Sequence, residues 1–228
     1  MTTSAALAPR SRGVPGKKLL LVMLALLVIA VVPFVLIPTL IKRGDHLELP
    51  DLGSVTAFDL LDEQGRPFTD EALRGHPTIV NFVFTRCDTI CPITSLKMQR
   101  LQDKLLDRRA VPIKLMSVSV DPTYDTPARL AAYAQRYGAI ADKWRFVTGP
   151  EAQIKALVEG PFMNSMVLEG QTPSGSPAIS HNGYFVLVDG SLRIRGVYDS
   201  SEVQKLDDLL RHARYLARTA GSYKFGGS

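Results

Sequence analysis

The sequence of 228 residues predicts an α/β domain with a mixed sheet, preceded by one transmembrane helix. The first observation is an uncharged and mostly apolar run from Leu19 to Ile41. The second is the alternation, after residue 54, of short apolar runs typical of buried strands with amphipathic stretches typical of helices. The third is the pair Cys87 and Cys91, the only cysteines of the chain, which lies between such a strand and such a helix.

The uncharged run is long enough to cross a bilayer, because its 23 residues would span roughly 35 Å as a helix. It is longer than the apolar core of a cleaved signal peptide, and no small-residue cleavage site follows it. We therefore predict a retained anchor at 19–41. The basic residues around it are Arg10, Arg12, Lys17 and Lys18 before the run, and Lys42 and Arg43 after it. This asymmetry predicts a cytoplasmic tail at 1–18 and a body on the periplasmic side of an inner membrane.

The basic character of the chain belongs to this membrane flank. The chain has 27 Lys and Arg residues against 22 Asp and Glu residues. Six of the basic residues and none of the acidic ones precede residue 44, so that 21 basic and 22 acidic residues remain in the body. We therefore predict no nucleic-acid partner. The length suits one domain, with a linker at 42–54, the folded domain at 55–218 and a frayed tail at 219–228.

The body is predicted to begin with a β-hairpin. Its strands are Val55–Leu61 and Arg66–Phe68, joined by a turn that ends at Gly65, and a short helical turn follows. The later strands are predicted at 79–84, 111–120, 144–147, 184–188 and 192–197, and the helices at 92–105, 126–138, 151–158 and 202–218. Residues 160–180, which are rich in glycine and proline, are predicted to form an exposed insertion. This order suits a thioredoxin-like fold with an N-terminal hairpin extension.

The cysteine pair is predicted to lie at a helix start. Pro92 suits the first helical position, which would make Cys91 the N-cap residue and leave Cys87 in the preceding loop. Both sulfurs would then face the positive end of the helix, with Arg86 nearby, and a lowered pKa is expected for both thiols. The three-residue spacer leaves room for a soft metal ion. A reversible disulfide and an inert buried pair remain open alternatives.

His181 is the histidine most suited to complete a metal site. It ends the insertion and precedes a core strand, and in a thioredoxin-like layout this loop passes beside the cysteines. Two thiolates and one imidazole make a soft site that suits copper. Met163 and Met166 stay open as thioether ligands, although packing is the commoner role of methionine. The histidines for which we predict a solvated or locally bonded state are His46, His76 and His212.

Four stretches of the chain together resemble the Sco/SenC family. They read FTRCDTICP, SVSVDPTYDTPARLAAYA, WRFVTGP and SHNGYFVLVDG, and the similarity runs from about Val55 to His212. The family consists of membrane-anchored copper proteins that assemble the binuclear copper centre of cytochrome c oxidase. The resemblance implies a thioredoxin-like fold and a copper site at Cys87, Cys91 and His181.

Two positions depart from the pattern of the family. Asp88 stands where a proline commonly follows the first cysteine, and Ser180 stands where an acidic residue often precedes the histidine. Neither change removes a ligand. Ser180 changes the support available to the imidazole of His181, and such support can alter metal affinity by ~10- to 100-fold. Asp88 adds a negative charge beside Cys87.

The resemblance implies a copper chaperone rather than an enzyme. It would take Cu(I) or Cu(II) from a copper donor protein and pass it to the copper-accepting subunit of cytochrome c oxidase, while its N-terminal helix holds it at the membrane. The alternative is a thiol–disulfide reductase that keeps the copper-ligand cysteines of an oxidase subunit reduced, in which Cys87 attacks and Cys91 resolves the mixed disulfide. A peroxidase is disfavoured, because it would need an isolated reactive cysteine.

Overall fold

The computed structural model describes residues 16–42, 47–105, 112–162 and 183–220, and the chain divides into two compact units, Met1–Leu47 and Glu48–Ser228. The first unit contains helix α1, Gly16–Lys42. Of the helical segments with described residues, none combines the length and the apolar composition needed to cross a membrane. The transmembrane anchor predicted at 19–41 is therefore not supported, and a helix is what the structure shows there.

The second unit is built on one mixed sheet. In the described part of the chain the sheet has seven strands, in the order β2-β1-β5-β4-β3-β6-β7. The strands are β1 (Asp59–Asp62), β2 (Pro67–Thr69), β3 (Thr78–Val83), β4 (Lys114–Ser119), β5 (Trp144–Thr148), β6 (Tyr184–Val188) and β7 (Ile194–Asp199). The central strands β3, β4 and β5 run parallel, and the flanking strands β1 and β6 are antiparallel to them.

Helices cover both faces of this sheet. They are α2 (Ile90–Lys104), α3 (Pro127–Arg136), α4 (Glu151–Leu157) with a π-helical turn at Val158–Phe162, and α5 (Val203–Thr219), and a 3-10 helix spans Asp70–Leu73. Residues of α2, α3 and α5 share one buried cluster with Ile79 and Val83 of β3, whereas α4 and the π-helical turn share the other with Val80 and Phe82. Side chains of β3 that point to opposite faces of the sheet therefore contribute to the two cores, as expected for a strand buried on both faces.

The register of the central strands determines where along the sheet the loops that follow them begin. Val83 is the last residue of β3 and pairs with Ser119, the last residue of β4. The loop that carries the cysteines and the loop after β4 therefore leave the sheet side by side. This edge is formed by the carboxyl ends of the parallel strands, where open α/β sheets usually place their functional groups.

The predicted α/β order is confirmed, with local shifts at the ends of elements. The first hairpin strand begins at Asp59 rather than Val55, although the side chain of Val55 is buried in the core. Strand β4 begins at Lys114 instead of residue 111. Of the predicted insertion at 160–180, the structure describes only residues 160–162, which belong to the π-helical turn. The predicted frayed tail lies outside the described residues from residue 221 onwards.

The start of α2 differs from the prediction in a way that matters for the site. The helix begins at Ile90 after Thr89, so the prediction that Cys91 is the N-cap residue and Pro92 the first helical residue was wrong by two positions. Pro92 is tolerated as the third residue because the first four N–H groups of a helix have no intrahelical partner. Cys91 thus belongs to the first turn of the helix itself. Cys87 does lie in the preceding loop.

Candidate thiol and metal site

The two cysteines lie at the junction between β3 and α2. A turn after the strand is closed by the backbone N–H of Cys87, which donates to the carbonyl oxygen of Phe84 at 3.1 Å. The backbone N–H of Cys91 points at the other sulfur, with 3.5 Å between this nitrogen and Sγ of Cys87. Both thiols are free and buried, with 8% of Cys87 and 2% of Cys91 exposed. The structure therefore brings the pair together and leaves Cys87 the more accessible of the two.

The two thiols differ in acidity. Burial opposes ionisation of Cys87, but hydrogen bonds from the Cys91 backbone and from the hydroxyl and backbone of Thr89 outweigh it and lower the pKa of Cys87. Burial raises the pKa of Cys91 to about 12, with the nearby Cys87 and Asp125 acting in the same direction. The expectation of a lowered pKa was thus correct for Cys87 and wrong for Cys91, because desolvation outweighs the helix terminus at the deeper sulfur.

Arg86 does not serve the thiols in the way that its position in the sequence suggested. Its Nε lies 2.6 Å from Oδ2 of Asp121, and its guanidinium stacks 4.8 Å from the ring centre of Tyr124. Hydrogen bonds, rather than the charge of Arg86, lower the pKa of Cys87. The arginine instead ties the cysteine loop to the loop that follows β4.

Asp125 is a site residue that sequence reasoning missed. Its carboxylate is fully buried and accepts hydrogen bonds from the backbone N–H and the hydroxyl of Thr85 and from the hydroxyl of Ser119. It therefore fixes the start of the cysteine loop against the end of β4. The segment DPTYDTP held a weak signal, because it follows a strand in the same way as the cysteine loop does, but spacing alone could not separate this aspartate from Asp121.

The third predicted ligand, His181, lies outside the described residues, as do Met163, Met166 and Ser180. Gly183, two residues after the histidine, is described and packs against the first turns of α2. A Cβ atom on this glycine would lie 3.0 Å from Thr94 Cγ2 and 3.3 Å from Ile90 Cγ1. The backbone that follows the histidine thus touches the helix that carries Cys91.

The other histidines behave as predicted where the structure describes them. His76 Nδ1 lies 2.7 Å from the carbonyl oxygen of Arg74, and His212 Nδ1 lies 2.7 Å from the hydroxyl of Tyr198. His46 lies outside the described residues. Within the described ranges, no group of three or more His, Cys, Asp and Glu side chains is arranged to hold a metal ion. The two adjacent thiols nevertheless fit a soft monovalent metal, for which thiolates are the preferred ligands.

A mixed sheet with parallel central strands, together with a pair of cysteines at the start of a helix, defines a thioredoxin-like thiol protein. The chain belongs to the SCO1/SenC family, whose family model matches residues 50–216. It is similar to the SCO1 protein homolog of Bacillus subtilis, with 29% identity over 167 residues that cover 73% of this chain and 84% of the relative. It is also similar to a putative copper-binding protein of Stutzerimonas stutzeri, with 33% identity over 68% of this chain and 74% of the relative.

Solved structures confirm the thioredoxin-like fold. The structure of BsSco, described as a member of the Sco family of cytochrome c oxidase assembly proteins with a disulfide switch, matches with a TM-score of 0.62 and 26% identity. The match covers 78% of this chain and 98% of BsSco. The mixed α/β fold of this chain therefore matches the fold of a Sco protein.

Proposed function

We propose that this protein carries copper to the binuclear copper centre of cytochrome c oxidase, with Cys87, Cys91 and His181 as the copper ligands. The observation that carries the proposal is the contact of 3.5 Å between the Cys91 backbone nitrogen and Cys87 Sγ, because it holds one soft donor against the first turn of the helix that carries the other. Membership of the SCO1/SenC family and the likeness to a putative copper-binding protein support the same metal.

Gly183 supports the inclusion of the histidine. The Gly183 backbone packs against Ile90 and Thr94, and two residues of extended chain span at most about 7 Å, which supports the choice of His181 as the third ligand of a site at the start of α2. Imidazole adds a harder donor to two thiolates and helps the site to keep Cu(II) as well as Cu(I).

The acidity difference between the thiols bears on loading and release. Cys87 ionises readily and offers the first thiolate, whereas Cys91 keeps its proton until copper is available to replace it. Binding of copper therefore releases a proton, and the affinity of the protein for copper rises with pH. In the delivery step, protonation of Cys91 would favour departure of the ion to the copper-accepting subunit.

A thiol–disulfide reductase is the second candidate, and the same asymmetry favours it. Cys87 is more exposed and more acidic, which suits the attacking thiol, and the deeper Cys91 suits the resolving thiol. In this role the thiolate of Cys87 attacks a disulfide of the oxidase subunit, Cys91 then displaces the subunit's thiol, and the protein ends as the disulfide. The two roles share the thiols and differ in their need for His181.

Copper stoichiometry in two redox states tests the proposal. The full-length protein, desalted after incubation with copper, should retain one copper ion when both cysteines are reduced and none when they are joined. The variants Cys87→Ser and Cys91→Ser should each lose tight binding. Stoichiometric copper on the oxidised protein would place the site elsewhere, with Met163 and Met166 the first residues to test. No copper on the reduced protein would leave only the reductase.

The cellular side on which the domain works is part of the proposal and is supported by the sequence. Four basic residues precede the apolar segment and two follow it, which favours a body outside the cytoplasm. Alkaline phosphatase, which folds only where disulfides form, should be active when fused after Ser228. Inactive enzyme in cells that accumulate the intact fusion would contradict this location.

A further inference from the structure

A cavity of about 350 Å³ lies at the end of the sheet away from the cysteines. Its lining includes Thr78 and Lys114, the first residues of β3 and β4, and Lys143 and Arg145 at the start of β5. The cysteine loop follows the other end of β3, and a strand of six residues separates the two ends by about 20 Å. The cavity is therefore distinct from the thiol site.

Charge in this cavity is unevenly distributed. The guanidinium groups of Arg66 and Arg145 both pair with the buried carboxylate of Asp62, and Arg145 also pairs with Glu63. These four groups balance one another. Among the other charged lining residues, Lys114 and Lys143 outnumber the single carboxylate of Asp142, so the cavity has an excess of positive charge.

Lys114 and Lys143 supply the unbalanced positive charge. Nζ of Lys114 donates to the backbone carbonyl oxygen of Asp142, and within the described part of the chain neither lysine forms an ion pair with a carboxylate. Burial, together with the neighbouring Lys143, lowers the pKa of Lys114 below its usual value. Two cations that line one cavity, with only the carboxylate of Asp142 beside them, form a favourable place for an anion.

The hydroxyl of Thr78 gives a second and independent sign of a ligand. Thr78 is 1% exposed and lines the cavity, and its Oγ1 finds no hydrogen-bond partner among the described residues. A buried hydroxyl without a partner is costly to fold, and an acceptor atom in the cavity would offset that cost. The wall beside it is apolar and includes Phe68, Leu73 and Met116.

We propose that this cavity binds a small organic anion in which a phosphate or carboxylate group is attached to an apolar body. The oxyanion lies between Lys114 and Lys143 and accepts a hydrogen bond from the hydroxyl of Thr78. The apolar body packs against Phe68 and Met116. A few convergent polar groups on a largely apolar wall are the usual composition of a small-molecule site of this volume. The proposal does not depend on copper.

Titration of the full-length protein with phenyl phosphate and with benzoate tests the proposal by calorimetry. Each probe should bind saturably, and the tighter of the two identifies the oxyanion. Inorganic phosphate, which lacks the apolar body, should bind more weakly. In protein labelled at the methionine methyl groups, the NMR signal of Met116 should move and that of Met98, which belongs to the opposite core, should not. Absence of saturable binding, or equal movement of both signals, would overturn the proposal.

Variants separate a defined site from diffuse attraction. Lys143→Gln and Lys114→Gln should each weaken binding at least fivefold, and Thr78→Val should weaken it without loss of thermal stability, because it removes an unpaired hydroxyl at nearly constant volume. The matched control is Lys155→Gln, on the exposed surface of α4, where Nζ lies 3.9 Å from Glu159. The control should bind like the native protein. A similar loss in Lys155→Gln and Lys143→Gln would show that only the general charge of the protein attracts the probe.

Discussion

The hydroxyl of Thr85 donates a hydrogen bond of 2.5 Å to Oδ1 of Asp125, which lies 40 residues further along the chain. Thr85 precedes Cys87 by two positions, and Asp125 is fully buried at the end of the neighbouring loop. This contact connects the position of Cys87 to a part of the chain that contains no ligand. A substitution at Asp125 should therefore alter the position of the thiols, although Asp125 is not a proposed copper ligand.

Asp125→Asn should destabilise the protein and loosen the cysteine loop. The amide keeps the shape of the side chain but loses the charge that receives three donors, and hydrogen bonds to a charged group contribute about 2 kcal/mol each. We expect the free energy of unfolding in urea to fall by about 2 kcal/mol, and copper affinity to fall with it. The control Asp121→Asn removes the charge that pairs with the exposed Arg86, while its Oδ1 can still accept from the hydroxyl of Thr123, and it should cost under ~1 kcal/mol. Equal costs would contradict a special role for Asp125.

Gly183→Ala should weaken copper binding although it changes no proposed ligand. Gly183 has φ of +64°, and a Cβ atom there would lie 2.9 Å from Ser200 Oγ and 3.0 Å from Thr94 Cγ2. The backbone at Gly183, two residues after the proposed ligand His181, would have to move away from α2. The matched control is Gly65→Ala, which has φ of +73° and open space around its Cβ position. Both variants share the backbone cost of about 1 kcal/mol, so weaker copper binding in Gly183→Ala alone would report the contact with α2.

Cys87 should react with iodoacetamide well before Cys91. The thiolate is the reactive form, and the pKa of Cys87 is lowered whereas that of Cys91 is raised to about 12. The rate at Cys87 should reach its plateau below the pH at which an ordinary thiol does so, and Cys91 should remain slow through pH 10. Mass spectrometry of digests after timed alkylation measures both rates. In urea the two rates should converge, and faster labelling of Cys91 in the folded protein would refute the assignment.

The raised pKa of Cys91 also predicts how stability depends on pH. The folded protein holds the proton of this thiol more tightly than the unfolded chain does, so this contribution is fully present below pH 9 and is lost as the pH rises towards 12. The free energy of unfolding of the reduced protein should therefore decline across that range. Cys91→Ser should show a smaller decline in parallel urea titrations, and an unchanged decline would assign the effect to other groups.

His181→Ala should separate the two proposed roles. Imidazole serves the metal and takes no part in the exchange of thiols, so the variant should lose much of its affinity for Cu(II) and keep its reaction rate with a disulfide reagent. Equilibrium dialysis measures the affinity for Cu(II), and stopped-flow reaction with a coloured disulfide measures the rate of thiol exchange. Equal losses in both assays would mean that the histidine supports the structure of the thiol pair instead.

The fold could be predicted because its signals are local. A short, nearly continuous apolar run marks β3, and Thr126 followed by Pro127 marks the start of α3, where the Thr126 hydroxyl indeed accepts from the backbone N–H of Arg129. The precise start of α2 could not be predicted, because a proline is accepted at any position of the first turn. The end of an element is decided by contacts that the sequence does not display.

The site could be predicted in its residue types but not in its energetics. Two cysteines after a strand indicated a thiol site, yet their unequal acidity depends on how far burial outweighs hydrogen bonding at each sulfur. The role of Arg86 depended on Asp121, which is 35 residues away. Asp125 was not predicted because burial of a carboxylate is a property of the folded chain, and its partners come from the loop after β3 and from the end of β4.

The pairing of Val83 with Ser119 constrains how a chain of this kind can change in length. Insertion of one residue into β3 or β4 would exchange the two faces of that strand. It would also shift the cysteine loop after β3 relative to the loop after β4. The connection from α2 to β4 meets the sheet at its opposite edge, where the level of the strands is already fixed by their pairing. Length variation in evolution, and grafting by protein engineers, should therefore be tolerated at that connection and forbidden between Thr78 and Cys91.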